Sequence, residues 1–117
     1  TNSPRSRLSN SGWAAVYFGH VGDAYTYTFP YNNMFFFGGA VTGCVPIGGV
    51  LKPEELWNID TKMDDGKPAQ GKIWARSTGV WSAADACTTS ASITDYAGNY
   101  RLSNAAPSCS IMTVNAL

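Results

Sequence analysis

Hydrophobic and polar positions alternate with a period of two over the first third of the chain. WAAVYF at positions 13–18 and, after the break GHVGD, AYTYTF at 24–29 consist of residue types that favour strands. Such alternation predicts half-buried β-structure. The turn-forming stretch PYNN (30–33) follows, and MFFF (34–37) returns as a further strand. The pattern therefore predicts a β-hairpin in which 34–37 pairs with 24–29.

One segment changes to the period of a helix. It begins at LKPEEL, where Pro53 suits the first helical position and Glu54 and Glu55 complement the positive end of the helix dipole. The apolar residues that follow recur at spacings of three and four, which gives an apolar stripe along Leu56, Ile59 and Met63. We therefore predict a short helix over about 53–64.

A glycine is predicted to end this helix, and a strand follows directly. Gly66 supplies the positive φ angle that stops a helix, and Pro68 prevents its resumption. GKIWARS (71–77) then alternates again, with Ile73 on one side and Trp74 on the other. This segment is predicted to be a strand.

The remaining segments complete the predicted fold. GGAVTGCVPIGGV (38–50) is apolar and punctuated by glycine, but it lacks the spacing of a phosphate-binding loop, so we interpret it as a connection. The C-terminal third is rich in Ser, Thr, Ala and Asn and ends on SIMTV (110–114), a predicted closing strand. The chain is therefore predicted to be a single α+β domain over residues 1–117 with an antiparallel β-sheet.

Composition narrows the class of protein. Charged residues make up 14% of the 117 residues, and the formal net charge is zero. No basic block supplies the charge that nucleic-acid binding requires, so no nucleic-acid partner is expected. The longest apolar runs are far too short to span a bilayer. The abundant Gly, Ser, Thr and aromatic residues favour a β-rich secreted or cell-surface protein.

Three cysteines, Cys44, Cys87 and Cys109, allow one disulfide in any of three pairings and leave one thiol. No CxxC is present, and His20 is the only histidine, so a zinc site lacks ligands. A disulfide is the expected use, which implies an oxidising compartment. A bridge between Cys87 and Cys109 would close a loop of about twenty residues and contribute roughly 3 kcal/mol on the chain-entropy model.

The stretch NIDTKMDDGKP (58–68) concentrates three aspartates and raises the question of a metal site. An EF-hand loop counted from Asp60 would place Lys62 at position 3, Asp65 at position 6 and Gly71 at position 12. The motif needs an oxygen ligand, glycine and glutamate at those positions, so an EF-hand is excluded. A looser calcium site formed by Asp60, Asp64 and Asp65 stays an alternative, because bunched carboxylates and loop carbonyls suit calcium.

Two catalytic arrangements find no support. Asp64 and Asp65 are adjacent and point in different directions, whereas glycosidase carboxylates face each other across a cleft. A Ser-His-Asp site would need His20, Asp23 and a serine, and the GxSxG elbow is absent. Neither set of residues therefore indicates an active site.

A structural role explains the aspartates better. Asp60 can pair with Lys62 or Lys67, or it can accept backbone N–H bonds, and Asp64 or Asp65 can brace the turn through its own side chain. The residues assigned to this turn are Asp60, Lys62, Asp64, Asp65, Gly66 and Pro68.

This run resembles a family signature. IDTKMDDGKP (59–68), followed by Gly71, is similar to "iD-x-K-x-DDG-x-P-x-x-G", which occurs in bacterial type IV pilin-like proteins that carry a prepilin-type cleavage and methylation signal. Three further features resemble the "C…Y…C-x-[LI]" ending of the same group: Cys87, Tyr96 or Tyr100, and Cys109 followed by Ser110 and Ile111. The resemblance runs from about position 51 to 114, a little over half of the chain.

The resemblance implies the fold of a pilin head, with a C-terminal region closed by a disulfide between Cys87 and Cys109. We expect Cys44 to be a buried free thiol. The implied function is structural: a subunit of a type IV pilus or pilus-like filament on the bacterial surface, with a role in adhesion, motility or secretion. Under this resemblance neither enzymatic activity nor a cofactor is expected. The implied partners are other pilin subunits in a homo- or heteropolymeric filament.

The resemblance stops short of the family's N-terminus. A pilin carries a short basic leader and then a long apolar helix, which anchors the subunit in the inner membrane and later packs in the fibre core. The 117 residues contain no such helix, and we expect the chain to be a truncated, soluble head.

A different class of protein is the alternative: a secreted β-rich domain that binds carbohydrate or another surface without catalysis. Trp57, Trp74 and Trp81 could stack on sugar rings if all three are exposed.

Overall fold

The described part of the chain contains four β-strands and one α-helix. The computed structural model describes residues 7–8, 10–18, 32–39, 48–75, 87–90 and 95–114. The elements within these ranges are β1 (Ser11–Phe18), β2 (Asn32–Gly39), α1 (Pro53–Met63), β3 (Ile73–Ala75) and β4 (Ile111–Thr113). The predicted α+β class with an antiparallel sheet is confirmed, and the predicted helix over 53–64 matches α1.

The sheet has the strand order β1-β2-β4-β3, and every pair is antiparallel. The predicted closing strand at 110–114 is present as β4, but it lies inside the sheet, between β2 and β3. The last described strand therefore lies beside β2 on one edge and beside β3, the strand that follows α1, on the other. The sheet therefore joins distant parts of the chain.

The hairpin partner of 34–37 differs from the prediction. All eight residues of β2 pair with the eight residues of β1, for example Phe37 with Trp13 and Phe35 with Ala15. Over residues 35–37 the other edge of β2 pairs with β4. Because both edges of 35–37 are occupied, the predicted pairing of this stretch with 24–29 is wrong. The segment 24–29 itself lies outside the described residues.

One face of the sheet packs on α1 and the disulfide. Phe37, Ile111 and Ala75 are opposite one another on β2, β4 and β3, so their side chains share a face. They belong to a buried cluster that also contains the following residues: Leu51, Leu56, Ile73, Cys87, Tyr100 and Cys109. Val50 and Ile59 pack against this cluster and are partly buried. This face is the hydrophobic core of the described domain.

The opposite face is buried as well. Phe36, Met112 and Trp74 are opposite one another on the same three strands, and each is almost fully shielded from solvent. Ile73 and Trp74 lie on opposite faces of the sheet, as predicted, but at these positions both faces are buried and neither is exposed to solvent. Residues of β3 are buried on both faces of the sheet, although β3 is the last strand in the sheet order.

The start of α1 agrees with its sequence signals. Pro53 is the first helical residue, where its missing N–H costs nothing. The backbone N–H of Lys52 donates to Oε1 of Glu55 at 2.9 Å, which is half of a capping box. The side chain of Glu55 thus fixes the residue that precedes the helix.

The buried stripe of α1 differs from the predicted one at its end. Leu56 is buried and Ile59 is partly buried, as expected. Met63, however, is 74% exposed, whereas Asp60 is 0% exposed. Leu56 and Asp60 are one turn apart and share a helix face. The inward position of the last turn is therefore taken by a carboxylate, and Met63, the final helical residue, stays in solvent.

The C-terminal described segment is held by a disulfide and by backbone pairing. Cys87 and Cys109 are bridged across a sequence separation of 22, which confirms the pairing that the resemblance implies. The N–H of Cys109 donates to the carbonyl of Leu51 at 2.8 Å, and the N–H of Leu51 donates back at 3.1 Å. Thr88 and Tyr100 form a further bridge inside the closed loop. Cys44 lies outside the described residues.

Within the described ranges, no helix combines the length and the apolar character needed to cross a membrane.

Candidate functional site

Asp60 is a buried carboxylate whose two oxygens both accept hydrogen bonds. Oδ2 accepts from the hydroxyl of Tyr100 at 2.6 Å, and Oδ1 accepts from the backbone N–H of Gly66 at 3.1 Å. Tyr100 is itself buried. Burial of a carboxylate is tolerable only when such donors replace water, and here one comes from the disulfide-closed loop and one from the turn after α1.

Burial raises the pKa of Asp60 above its ordinary value of 3.8, because the charged form loses solvation. The hydrogen bonds from Tyr100 and Gly66 act in the opposite direction and lower the pKa. The neighbouring charges of Asp65 and Asp64 raise it further. The net direction is upward, so the ionised form of Asp60 is less favourable in the folded protein than in the unfolded chain.

Asp64 fixes the start of β3. Its Oδ2 accepts from the backbone N–H groups of Lys72 at 2.5 Å and of Ile73 at 3.0 Å. Ile73 is the first residue of the strand. A side chain from the end of α1 therefore satisfies two main-chain donors at the beginning of a short strand.

Two glycines make this geometry possible. Gly71 has φ +68°, and a Cβ at this position would overlap the carboxylate of Asp64. Gly66 has φ +73°, and a Cβ there would lie 2.9 Å from Oγ1 of Thr61. The prediction that Gly66 supplies a positive φ angle after the helix is confirmed. Gly71 adds a second requirement, because it leaves room for the carboxylate of Asp64.

The other signature residues support the turn. Oδ1 of Asp65 accepts from the N–H of Lys67 at 2.8 Å, which is an Asx-turn. Pro68 is buried, and its carbonyl accepts from the N–H of Ala75 at 2.9 Å. Lys62 is exposed in the last turn of α1, where a positive charge complements the helix dipole. The expectation that Asp64 or Asp65 braces the turn is confirmed for both.

A lysine partner for Asp60 was one of two expectations, and it is wrong. Lys67 Nζ donates to Oδ1 of Asn99 at 2.6 Å, and Lys62 points to solvent. The second expectation, a backbone N–H donor to Asp60, is confirmed by Gly66. Sequence reasoning missed Tyr100 as the other donor. The only available signal was the "C…Y…C" spacing, which did not distinguish Tyr96 from Tyr100.

The three carboxylates meet one condition of the calcium alternative. Asp60, Asp64 and Asp65 each offer an oxygen, and these oxygens lie within 4.8 Å of one another. Calcium requires six to eight oxygen ligands. Both oxygens of Asp60, one of Asp64 and one of Asp65 already accept hydrogen bonds from protein donors. These bonds give the cluster a structural use that needs no ion.

One of the three tryptophans proposed for carbohydrate binding is buried. Trp74 is 2% exposed, its indole N–H donates to the carbonyl of Gly71 at 2.8 Å, and its ring meets Tyr96 edge-on at 6.4 Å between centroids. Trp74 is therefore a core residue, and the prediction that it stacks on sugar rings is wrong. Trp57 is 38% exposed on α1. Trp81 lies outside the described residues.

No protein-family model, no curated protein and no solved structure matches this chain.

Proposed function

We propose that this domain is the surface-exposed head of a type IV pilin-like subunit in a bacterial pilus or pilus-like filament. The observation that carries the proposal is the contact between the two segments that resemble the family. Asp60 from the "iD-x-K-x-DDG" segment and Tyr100 from the "C…Y…C" segment form one buried hydrogen bond. A signature whose distant parts share a contact is more specific than either part alone.

The hydrogen bonds of the turn also support a structural role. The carboxylates of Asp60, Asp64 and Asp65 accept hydrogen bonds from main-chain N–H groups and from one tyrosine. A catalytic carboxylate must instead present an oxygen to a substrate. We propose that these residues stabilise the head and that the subunit performs no catalysis. Its proposed partners are further pilin subunits, which it would join through an apolar N-terminal helix preceding this domain.

The test begins with the coding sequence upstream of Thr1, which should encode a prepilin leader and an apolar helix. The complete subunit, carrying an epitope tag in the exposed turn at Leu102 and Ser103, is then expressed in the organism that encodes it. The tag should appear in the filament fraction sheared from the cell surface, and it should disappear from that fraction when the prepilin peptidase is deleted. An upstream sequence without a leader and helix, or a tag that never sediments with filaments, contradicts the proposal.

A further inference from the structure

The turn after α1 contains a chemically labile pair of residues. Asp65–Gly66 is the only aspartyl-glycine pair in the chain, and no asparaginyl-glycine pair is present. Glycine has no side chain to hinder attack by its own nitrogen on the preceding carboxyl group. This pair is therefore the aspartyl position at which the chain can most readily rearrange its backbone.

We propose that Asp65–Gly66 is a spontaneous isoaspartate modification site, and that the native turn holds it closed through the carboxylate of Asp60. The proposal does not depend on the filament function. It assigns to the "DDG" segment a second property, a latent covalent change, and it assigns to Asp60 a protective effect on a neighbouring peptide bond.

The reaction needs no reagent other than water. The main-chain nitrogen of Gly66 attacks Cγ of Asp65, and one water molecule leaves, composed of a carboxyl oxygen and the protons of the acid and the amide. A five-membered succinimide results. Water then opens the ring at either carbonyl: opening at Cγ restores aspartate, and opening at the main-chain carbonyl leaves the chain running through Cβ and Cγ as isoaspartate.

Two hydrogen bonds oppose this reaction in the folded protein. The N–H of Gly66 donates to Oδ1 of Asp60 at 3.1 Å, and this bond must break before the nitrogen can lose its proton and attack. Oδ1 of Asp65 accepts from the N–H of Lys67 at 2.8 Å, which holds the carboxylate toward the second following residue. Gly66 is also fixed at φ +73°. Ring closure therefore requires local opening of the turn.

The product cannot reform the native turn. Isoaspartate adds one carbon to the main chain between α1 and β3, so the N–H of Gly66 is displaced from Asp60. Asp65 is exposed, and water therefore reaches the succinimide as soon as it forms. The β-linked product returns to the succinimide only slowly, so the modified fraction grows with the time that the turn spends open.

The test compares two samples of the disulfide-intact domain, one native and one unfolded in urea. Isoaspartate is counted by enzymatic methyl transfer and localised by peptide fragmentation. We expect formation in the native sample to be at least about tenfold slower, which corresponds to about 1.4 kcal/mol of local opening free energy. Equal rates in the two samples, or no isoaspartate in the unfolded sample, would overturn the proposal.

Three variants locate the effect. Asp65→Glu prevents closure of a five-membered ring at position 65, so the isoaspartate localised to the peptide that contains residues 65 and 66 should vanish; an undiminished signal in that peptide overturns the site. Asp60→Asn keeps an acceptor for the N–H of Gly66, whereas Asp60→Ala removes it, and the folded alanine variant should form isoaspartate faster. Equal rates in the two folded variants would remove Asp60 from the proposal.

A further measurement uses the unmodified sequence alone, so that it stands even if Asp60→Ala does not fold. Amide hydrogen exchange at Gly66 and isoaspartate formation are followed together over a series of urea concentrations below the unfolding midpoint. Both rates should rise in parallel, because both require the same opening. Isoaspartate formation that stays fast while the Gly66 amide remains protected would overturn the proposal.

Discussion

Tyr100 donates a 2.6 Å hydrogen bond to Oδ2 of Asp60, across forty residues of sequence and with both side chains buried. The bond joins the last turn of α1 to the loop that the disulfide closes. Asp60 also accepts from Gly66, so a single carboxylate holds the end of the helix, the turn and the loop together. Because Asp60 is buried and hydrogen-bonded to two other segments, its mutation or protonation should change the free energy of unfolding of the domain.

Removal of the Tyr100 hydroxyl should destabilise the domain. Tyr100→Phe keeps the ring but leaves Oδ2 of Asp60 buried without its donor, and a hydrogen bond to a charged group contributes about 2 kcal/mol. Urea unfolding with the disulfide intact should show a lower midpoint at an unchanged slope. Tyr96→Phe, in the exposed tyrosine of the same segment, serves as the comparison and should cost less than about 0.5 kcal/mol. Equal losses in the two variants would contradict the assigned role of the Tyr100–Asp60 bond.

The raised pKa of Asp60 predicts a specific pH dependence. Between the ordinary value of 3.8 and the higher folded value, the folded state binds more protons than the unfolded state. The contribution of Asp60 to the free energy of unfolding therefore falls as pH rises through this window and stays low above it. Asp60→Asn does not titrate and keeps an acceptor for Gly66. The stability of Asp60→Asn relative to the original protein should consequently increase from low pH to neutral pH.

Two measurements check the direction of the Asp60 pKa shift. The carbon chemical shift of the Asp60 carboxyl group should titrate with a midpoint above 3.8. Urea unfolding of both proteins across the acidic range should give a difference that grows with pH. A difference that shrinks with pH would mean that the hydrogen bonds from Tyr100 and Gly66 outweigh burial and lower the pKa instead.

The features that could be predicted from the sequence are those determined by neighbouring residues. Pro53 and the acidic first turn specify where α1 begins, and Gly66 and Pro68 specify where it stops. The alternation in 71–77 identifies β3 for similar reasons. In each case a single residue type or a short period determines the backbone conformation, so no distant partner has to be known.

Strand pairing and the buried partner of Asp60 depend on distant residues, and the local sequence pattern does not predict them. Strand periodicity gives no indication of which strand is the neighbour. Residues 34–37 pair with β1, and 35–37 pair also with β4, instead of with 24–29. The apolar spacing of α1 suggested Met63 as its last buried position. Asp60 takes that position, because Tyr100 supplies a donor that no local pattern could reveal. A buried carboxylate next to an apolar stripe is visible only after the tertiary contact is known.

The structural use of the acidic cluster predicts that calcium has no effect on stability. Both oxygens of Asp60 and one of Asp64 are already occupied by protein donors. Addition of calcium, or of a chelator, should therefore leave the melting temperature unchanged. Asp65→Ala should lower the melting temperature by removing the Asx-turn. A rise in melting temperature with calcium that disappears in Asp64→Ala would contradict this prediction and support a calcium site.

Peptide mapping without reduction should recover Cys87 joined to Cys109. The bridge closes a loop across a separation of 22 residues, so Cys87→Ser with Cys109→Ser should lose about 3 kcal/mol of unfolding free energy on the chain-entropy model. Cys44 is predicted to be a free thiol that reacts with an alkylating reagent only after unfolding. Mapping that placed Cys44 in the disulfide would contradict both assignments.

Asp64 and Gly71 should be energetically coupled, and a double-mutant cycle can measure the coupling. Gly71→Ala introduces a Cβ that overlaps the Asp64 carboxylate and forces an alanine to adopt φ +68°. We expect a loss of more than about 2 kcal/mol, because a positive φ angle alone costs on the order of 1 kcal/mol for a non-glycine residue. In an Asp64→Ala background the overlap is gone and only the φ cost remains, so Gly71→Ala should cost less there.

Gly66→Ala provides the matched control. It has a similar φ of +73°, but its Cβ would meet Oγ1 of Thr61, a small side chain that can rotate away. Its cost should be the same with and without Asp64→Ala. If Gly71→Ala also costs the same in both backgrounds, the carboxylate of Asp64 does not depend on the space at Gly71. The glycine would then be required only for its backbone conformation, and Asp64 and Gly71 would act independently.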